Sequence, residues 1–548
     1  MASAADGKST NMALVVTAST AGTAFEWYDF FLFVPLTTIL SKVFFSGLDD
    51  TSAFIFALGS FAVGFAFRPV GALIFGRVGD RIGRKATFLI TMALMGVSTF
   101  AVAFLPSYAK VGLIAPVLFI ALRILQGMAI GGEWGGAAIY IVEHEQPHRR
   151  ALTSSWLGGS AAFGLFFALL AVWVVRKFMG QAGLEAWGWR LPFLFSALLL
   201  GVSVWIRLKL NESPVFARMK AEGRRSTQPY KDSFGNWPGI KRALIALFAI
   251  MIAQGAVWYC VFFYASTFME KTVKVDPAVI NQIMMALTAV SVPMYIGFGW
   301  LSDRIGRKPV MLGGLILMLI IYFPAFHGLE TYGNPAMAAA IKTSPVTITA
   351  DPADCSVQFD PVGKKVFKTS CDILKSTLAG AGVSYHNQAA PGGTLASVQI
   401  GSTTLQSIEG RSLDKADLAG AKKVIAGKVS AALKAAGYPA KADPASTNPV
   451  ALFLILLGMT VGATALYGPQ AAALVEMFPA KVRYTALSLP YHIGTGWVGG
   501  FLPATAVAIV AQTGNIFSGV WYAFGFTALA AVCMLLLFKE TNGADLEA

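Results

Sequence analysis

Apolar runs about 20 residues long recur along the chain, each closed by a cluster of polar or charged positions. A helix rises 1.5 Å per residue, so about 20 such residues cross the hydrocarbon core of a bilayer. The pattern predicts twelve spanning helices, at 13–44, 53–76, 86–106, 113–142, 151–176, 190–210, 242–269, 280–301, 309–329, 449–477, 485–511 and 516–538. The first reads as a span and not a cleavable leader, because it is polar to Asn11 and then carries Glu26 and Asp29 through a full-length apolar stretch. One long polar stretch, 331–447, breaks the rhythm between the ninth and tenth spans. It carries its own periodicities. Ser356–Phe359 and Ala396–Ile400 are expected as strands, and Thr369–Ala379 and Asp414–Ala436 as helices, the last with apolar Leu418, Val424, Ile425, Val429 and Leu433.

Composition narrows the class. Hydrophobic residues make up 55% of the 548 positions and charged residues 13%, with a mean hydropathy of +0.62. A soluble chain usually carries roughly 25% charged residues. So few charges cannot coat a soluble surface of this size, which excludes a cytosolic enzyme, a disordered chain and a fibrous repeat. The net charge of +14 would suggest nucleic acid in a soluble protein. Here the basic residues collect in alternate loops: Arg77, Arg81, Arg84 and Lys85; Arg149 and Arg150; many between spans 6 and 7; Arg304, Arg307 and Lys308; Lys481 and Arg483. The intervening loops hold little beyond Asp49, Asp50 and Lys110. Basic loops face the cytoplasm, so both termini are expected inside, in a cell inner membrane, with lipid and no nucleic acid as partner. The 331–447 stretch then lies outside, where Cys355 and Cys371 are expected to pair, two free thiols in a flexible loop being the alternative. Cys260 and Cys533 sit within spans and read as packing residues.

The chain also repeats itself. Gly76-Arg-Val-Gly-Asp80-Arg-Ile-Gly-Arg84-Lys85 returns as Gly299-Trp-Leu-Ser-Asp303-Arg-Ile-Gly-Arg307-Lys308, an offset of 223 residues. Glu143, six residues and Arg150 return as Glu476, six residues and Arg483, an offset of 333. The excess of 110 matches the long polar stretch, which is therefore an insertion into the second copy of a six-helix unit. The expected layout is an N-terminal half at 1–211, a cytoplasmic linker at 212–241, helices 7–9 at 242–330, a small α+β extracytoplasmic insertion at 331–447 and helices 10–12 at 448–548.

These features resemble the major facilitator superfamily: twelve spans, two Gly-x-x-x-Asp-Arg-x-Gly-Arg-Lys loops and paired Glu-x6-Arg elements. The resemblance covers most of the chain outside the insertion. Within it, Phe25-Glu-Trp-Tyr-Asp-Phe30, Arg68-Pro-Val-Gly, Arg123-Ile-Leu-Gln-Gly-Met-Ala-Ile-Gly-Gly-Glu133-Trp-Gly-Gly, Tyr467-Gly-Pro-Gln and Arg483-Tyr-Thr-Ala-Leu-Ser look like the metabolite:proton symporter family. That family carries shikimate, α-ketoglutarate, citrate, other dicarboxylates, and proline or betaine, with protons. The resemblance implies alternating access with the proton as coupling ion and no bound cofactor, in a chain working as a monomer on a small-molecule substrate. It further implies that Asp80, Arg84, Glu143, Arg150, Asp303, Arg307, Glu476 and Arg483 form cytoplasmic latches that hold the outward-open state. The large insertion departs from the family, and no role carries over to it.

The intramembrane charges point to the work done. A charge at the bilayer centre costs roughly 2.5–3.5 kcal/mol on insertion scales, so Glu26, Asp29, Arg68, Arg123 and Glu133 must face a wet cavity or one another. A guanidinium suits a substrate carboxylate, and a buried acid suits proton exchange. Asp29, Glu26 and Glu133 are the coupling candidates. Arg68 and Arg123, with Gln126 and Trp134 on the Arg123 stripe, and Tyr259, Tyr467 and His492, are the substrate candidates. Trp258, Tyr264 and Tyr295 could line the same cavity. Static ion pairs and aromatic packing are the bland alternatives. Gly131, Gly132, Gly135 and Gly136 read as close-packing positions. No nucleophile–base pair, metal cluster or phosphate loop is present; His144 and His148 lack a third ligand. The expected function is proton-coupled uptake of a small organic acid, with a proline/betaine-type zwitterion or a sugar as alternative cargo. A membrane sensor with an outer ligand domain is the remaining class.

Overall fold

The computed structural model describes residues 12–46, 60, 63–208, 218–219, 221–223, 226–356 and 366–546. Residues 53–59, 61 and 62 of the expected second span lie outside these residues. Its later part is α3, Arg68–Ile82, preceded by α1, Met12–Phe31, and α2, Phe33–Phe44. Helices α1 and α2 run on as one apolar span, because the Leu32 N–H still reaches the Tyr28 carbonyl at 2.9 Å. There follow α4, Arg84–Val102, α5, Ile114–His144, α6, Arg150–Gly183, and α7, Arg190–Leu208. The second set opens with α8, Trp237–Thr272, which contains several π-type turns. It continues with α9, Pro277–Ile305, and α10, Arg307–Gly333. After a short α11, Pro335–Thr343, come α12, Ser370–Ala381, and α13, Lys415–Ala435. The chain then completes α14, Pro449–Tyr467, α15, Gln470–Met477, α16, Arg483–Thr513, and α17, Val520–Leu536. Among the described residues nine helical stretches are long and apolar enough to cross a membrane, and Arg190–Ile206 and Val520–Leu536 are shorter apolar helices.

The two repeated loops share one backbone solution. Gly83 stands between α3 and α4 at φ +119°, and Gly306 between α9 and α10 at φ +104°. Both values lie where a Cβ is strained, so the repeat needs glycine at this step. Helix α1 packs on α6 and α7, α5 on α3 and α4, α6 on α9, and α10 on α14, while α16 crosses to lie against α3 and α5.

A second, separate hydrophobic cluster gathers residues between Ala340 and Tyr438. Its sheet holds β1, Val346–Ala350, β2, His386–Ala389, β3, Ser397–Ile400, and β4, Thr403–Gln406, in the order β2-β1-β3-β4. β1 runs parallel to β2 and antiparallel to β3, which pairs with β4 as a hairpin. Alternate residues Val346, Ile348, Val398 and Ile400 turn inward with Leu374 and Leu378 of α12 and Ile425 and Val429 of α13. A Cys355–Cys371 disulfide ties the preceding loop to the first turn of α12.

Helices α12 and α13 and strand β3 lie where periodicity placed elements. Ser356, expected at the start of a strand, instead gives its N–H and hydroxyl to Asp372, at 2.8 and 2.6 Å. The short acceptor side chain at the head of α12 outcompetes a ladder there. The rest of that expected strand, residues 357–359, lies outside the described residues. This unit hangs on the ends of the second helix set. Tyr385 N–H donates to the Gly514 carbonyl at 2.7 Å and its hydroxyl to the Ala511 carbonyl. Asn387 reaches the Thr513 carbonyl at 3.0 Å, and Ala442 N–H donates to the Lys274 carbonyl at 3.0 Å.

Candidate functional site

Two polar systems stand out, one amid the spans and one at the helix ends beside the repeated loops. The first begins with Arg68 at the head of α3, wholly buried. Its guanidinium lies 5.1 Å from the Trp27 and Phe65 ring centres and 5.6 Å from that of Phe30. Its Nη1 reaches the Tyr259 hydroxyl at 3.5 Å, at the outer limit of a hydrogen bond. Among the described residues no carboxylate pairs with Arg68, and its Nε and Nη2 have no acceptor. Arg123, 2% exposed, sits one helix away over Phe30 and Phe33, at 4.8 and 5.0 Å. Close helix approach brings the two arginines together. A Cβ on Gly127 would fall 1.9 Å from the Gly64 carbonyl oxygen, and one on Gly131 would fall 2.2 Å from that of Arg68. Only glycine lets α5 lie this tightly against the second span.

A chain of side chains continues from Arg123. Its Nη1 donates to Gln126 Oε1 at 2.5 Å, and Gln126 Nε2 donates to Thr99 Oγ1 at 3.1 Å. Thr99 donates to the Met95 carbonyl at 3.0 Å and also abuts the Asp29 carboxyl. Ser196 of α7 donates to Asp29 Oδ1 at 2.6 Å. Asp29 and Glu26 are both buried on α1. Glu133 points elsewhere, to α4, where the Thr91 hydroxyl donates to it at 3.1 Å. The structure therefore brings Asp29, Arg123 and Gln126 together and sets Glu133 in a helix contact.

The facing wall comes from the second helix set. Trp134 stacks on Tyr491 at 3.8 Å and 10°, Phe31 stacks on Trp258 at 5.7 Å, and Phe65 meets Tyr259 edge-on at 5.3 Å. Tyr467 and Tyr491 hydroxyls are 3.3 Å apart, Trp258 Nε1 donates to Tyr295 at 2.9 Å, and Tyr295 lies 5.5 Å from Tyr467. His492 is buried beside Tyr491. Tyr264 lies apart from this wall, stacked on Phe326. Sequence reasoning missed Phe30, Phe65, Thr99, Ser196 and Tyr491. Hydroxyls and rings are ordinary inside spans, and only the charged neighbours mark these.

The second system is reciprocal. Arg483 Nη1 meets Glu143 Oε1 at 2.7 Å, and Arg150 Nη1 meets Glu476 Oε1 at 3.6 Å, so each glutamate takes the other copy's arginine. Asp80 accepts the Thr485 N–H and hydroxyl at 3.0 and 2.7 Å, near the start of α16. Asp303 accepts the Ala151 and Leu152 N–H groups at 3.1 and 2.7 Å, at the start of α6. Each acid thus caps a helix of the opposite set, satisfying free amides at the positive helix end. Arg307 pairs with Asp303 at 2.6 Å and with Glu476 at 3.2 Å. The Arg84 side chain lies outside the described residues. The segment after α17 joins in. Glu540 accepts the Arg307 and Lys308 N–H groups at 2.9 and 3.0 Å, and the Ala544 and Leu546 carbonyls accept from Arg150 and Arg483 at 2.7 and 2.8 Å.

Comparison with known proteins agrees with this architecture. The inner membrane metabolite transport protein YhjE of Escherichia coli K12 is 36% identical over 340 residues, covering 60% of this chain and 74% of its own. The shikimate transporter of that strain is 31% identical over 315 residues (57% and 71%), and its proline/betaine transporter 31% over 335 (59% and 65%). Among solved structures, the proton:xylose symporter XylE bound to 6-bromo-6-deoxy-D-glucose superposes with a TM-score of 0.62 at 17% identity, covering 98% of both chains. A partially occluded inward open conformation of XylE from E. coli gives 0.59 at 16%, covering 98% and 99%. Residues 16–347 match the sequence profile of the Major Facilitator Superfamily, and the chain belongs to that superfamily of membrane transporters.

Proposed function

We propose that this chain is a proton-coupled symporter of the metabolite:proton type, taking up a small carboxylate-bearing solute by alternating access across the cell inner membrane. The reading carries with it twelve spans in two six-helix halves, cytoplasmic termini and an outer α+β insertion at 331–447. One observation carries it above the rest. Arg68 is a fully buried cation with vacant donors and no carboxylate partner among the described residues. A permanent structural cation would be expected to have a permanent counter-ion, since an unpaired buried charge is costly. A cargo carboxylate, taken bidentately, satisfies it once per cycle. Asp29, buried on α1 and bonded by Ser196, is the proton carrier in this reading, with Glu26 beside it.

Organic acids such as shikimate or a dicarboxylate fit the carboxylate requirement. So do proline and betaine, and several relatives named as proline/betaine transporters favour that zwitterionic alternative. A betaine ammonium would find ring faces at Trp27, Phe65 and Tyr259 while its carboxylate took Arg68. A sugar would leave Arg68 without an anion, and the XylE likeness bears on fold alone. The test is uptake into proteoliposomes driven by an inward proton gradient, with shikimate, α-ketoglutarate, glycine betaine, proline and xylose in parallel. Accumulation of a carboxylate solute that collapses with a protonophore is expected. Accumulation of xylose alone, or uptake indifferent to the proton gradient, would overturn the reading.

A further inference from the structure

We propose that the inserted, sheet-bearing unit is a strap that binds the end of α8 to the end of α16, so that these two helices travel as one body when the molecule changes conformation. The inference goes beyond the symporter reading and rests on it only for alternating access.

The strap is a short run of chain, residues 382–387. At one end Gly382 closes α12 at φ +68°, and a Cβ there would fall 2.6 Å from the Lys271 carbonyl oxygen and 2.9 Å from the Thr272 Cα, in the last turn of α8. The rest of the run lies along the end of α16. Ser384 Oγ accepts the Ile516 N–H at 3.3 Å, and Tyr385 N–H donates to the Gly514 carbonyl at 2.7 Å. The Tyr385 hydroxyl donates to the Ala511 carbonyl, and the Asn387 amide to that of Thr513 at 3.0 Å. Gly514 closes α16 at φ +79°, and a Cβ on it would collide with the Tyr385 carbonyl. Both seats therefore need glycine, for the backbone angle and for the close approach.

Lys274, just past α8, tightens the join. Among the described residues it alone, glycines aside, has a positive φ, +66°. The unit holds it from two sides: its Nζ donates to the Gly380 carbonyl at 3.5 Å, and its own carbonyl accepts the Ala442 N–H at 3.0 Å. Such a conformation persists where surrounding contacts over-determine it. Lys375 of α12 adds a bond to the Gln512 carbonyl at 3.4 Å. Among the described residues, every hydrogen bond between this unit and the spans goes to the second helix set.

The strap matters because α8 is built to flex. Its π-type turns at Ala246–Met251, Cys260–Tyr264 and Phe268–Thr272 loosen the bond ladder in three places. Trp258 and Tyr259, which meet Phe31 and Arg68 of the first set, lie on this helix. A free end of α8 would swing without α16. Strapped, α8 and α16 must leave the first set together, so opening at this end is a rigid-body movement between helix sets and not a local bend.

Distances between spin labels in the reconstituted full-length protein test this. Labels carried on unnatural amino acids at positions 271 and 515 span the strap, and a pair at 110 and 515 spans the two helix sets. Neither pair uses cysteine, so the Cys355–Cys371 bond stays intact. Glu143→Gln, which breaks a buried pair at the opposite helix ends, shifts the conformation. The 110–515 distance should then move while the 271–515 distribution stays as it was. Gly382→Ala, and separately Tyr385→Phe with Asn387→Ala, should broaden the 271–515 distribution, with the disulfide retained by intact mass to show that the unit still folds. A native 271–515 distance that moves with the other pair, or strap variants that leave it narrow, overturns the strap and leaves alternating access standing. If neither native pair moves, alternating access fails and the strap fails with it.

Discussion

The ion-pair cluster at the span ends, the gate in the proposed reading, and the intramembrane polar core belong to one fold but obey opposite rules. At the gate Glu143 and Glu476, and Asp80 and Asp303, are equivalent acids, and each takes a partner from the opposite half. Among the described residues, the carboxylates and guanidiniums buried amid the spans come from the first helix set. The repeat offset of 333 sets Leu456 where Arg123 stands and Leu466 where Glu133 stands. Both are buried among apolar neighbours. Reciprocity suits an interface that must close symmetrically, since each half clamps the other. One-sidedness suits a task performed once per cycle. Pairing differs too: buried Glu143 and Arg483 satisfy each other, whereas Arg68 is left with vacant donors.

Breaking reciprocity should have the largest effect. Glu143→Gln strands the buried Arg483 guanidinium, at a cost to the closed gate of about 3–5 kcal/mol, the range for a broken buried pair. Labelling of an introduced inner-face cysteine should rise steeply, and a Glu143→Arg/Arg483→Glu exchange should recover part of the protection. Next comes the core. Arg68→Gln should weaken binding of a carboxylate cargo by about 2–5 kcal/mol in correctly inserted protein, read by ligand-dependent thermal shift. Arg68→Lys should lie between it and the native protein, because it keeps the charge and loses the fork. Unchanged affinity in both would mean Arg68 is structural. Third, Asp80→Ala should cost about 0.5–2 kcal/mol as a lost helix cap, and Asp303→Ala more, because it also removes the carboxylate that Arg307 meets at 2.6 Å. Equal effects on gate labelling would show that the Asp303–Arg307 pair adds nothing to closure.

The smallest effect is asymmetric. Burial works to raise the Glu540 carboxyl, but the Arg307, Asn542, Lys308 and Thr541 N–H groups outweigh it and hold it below its ordinary range. Its contribution is therefore complete above the ordinary carboxylate value and fades as pH falls through the lowered one. Partial exposure keeps this under about 1 kcal/mol. Hydrogen exchange at the Arg307 and Lys308 amides should accelerate on that acid limb, and Glu540→Gln should flatten the profile.

Much of this was legible in the chain. Spans announce themselves because lipid demands long apolar runs, and the repeated loops because glycine at Gly83 and Gly306 has no substitute. The Arg68, Arg123 and Asp29 trio was legible through the expense of intramembrane charge. Other features were not. Spacing pairs Glu143 with Arg150 as a motif, but the salt bridges swap partners between motifs, which only tertiary packing decides. β1 does alternate, as Val346-Thr-Ile-Thr-Ala350, yet it follows directly on the end of α11 and lay unread. β2, exposed at all four positions, and β4, mostly exposed, have no apolar face to read. Thr99 and Ser196 look like any hydroxyl that bonds back to its own helix.

The attachment of the sheet-bearing unit has a practical consequence for imaging. Two similar halves in a detergent belt give projections that are hard to tell apart and hard to align. The four-stranded unit breaks that ambiguity, because its bonds to the 511–514 and 274 carbonyls seat it on the second half. A binding fragment raised against its exposed α13 face would serve as a fiducial mark. It would enlarge the particle outside the belt and show, image by image, which half has turned.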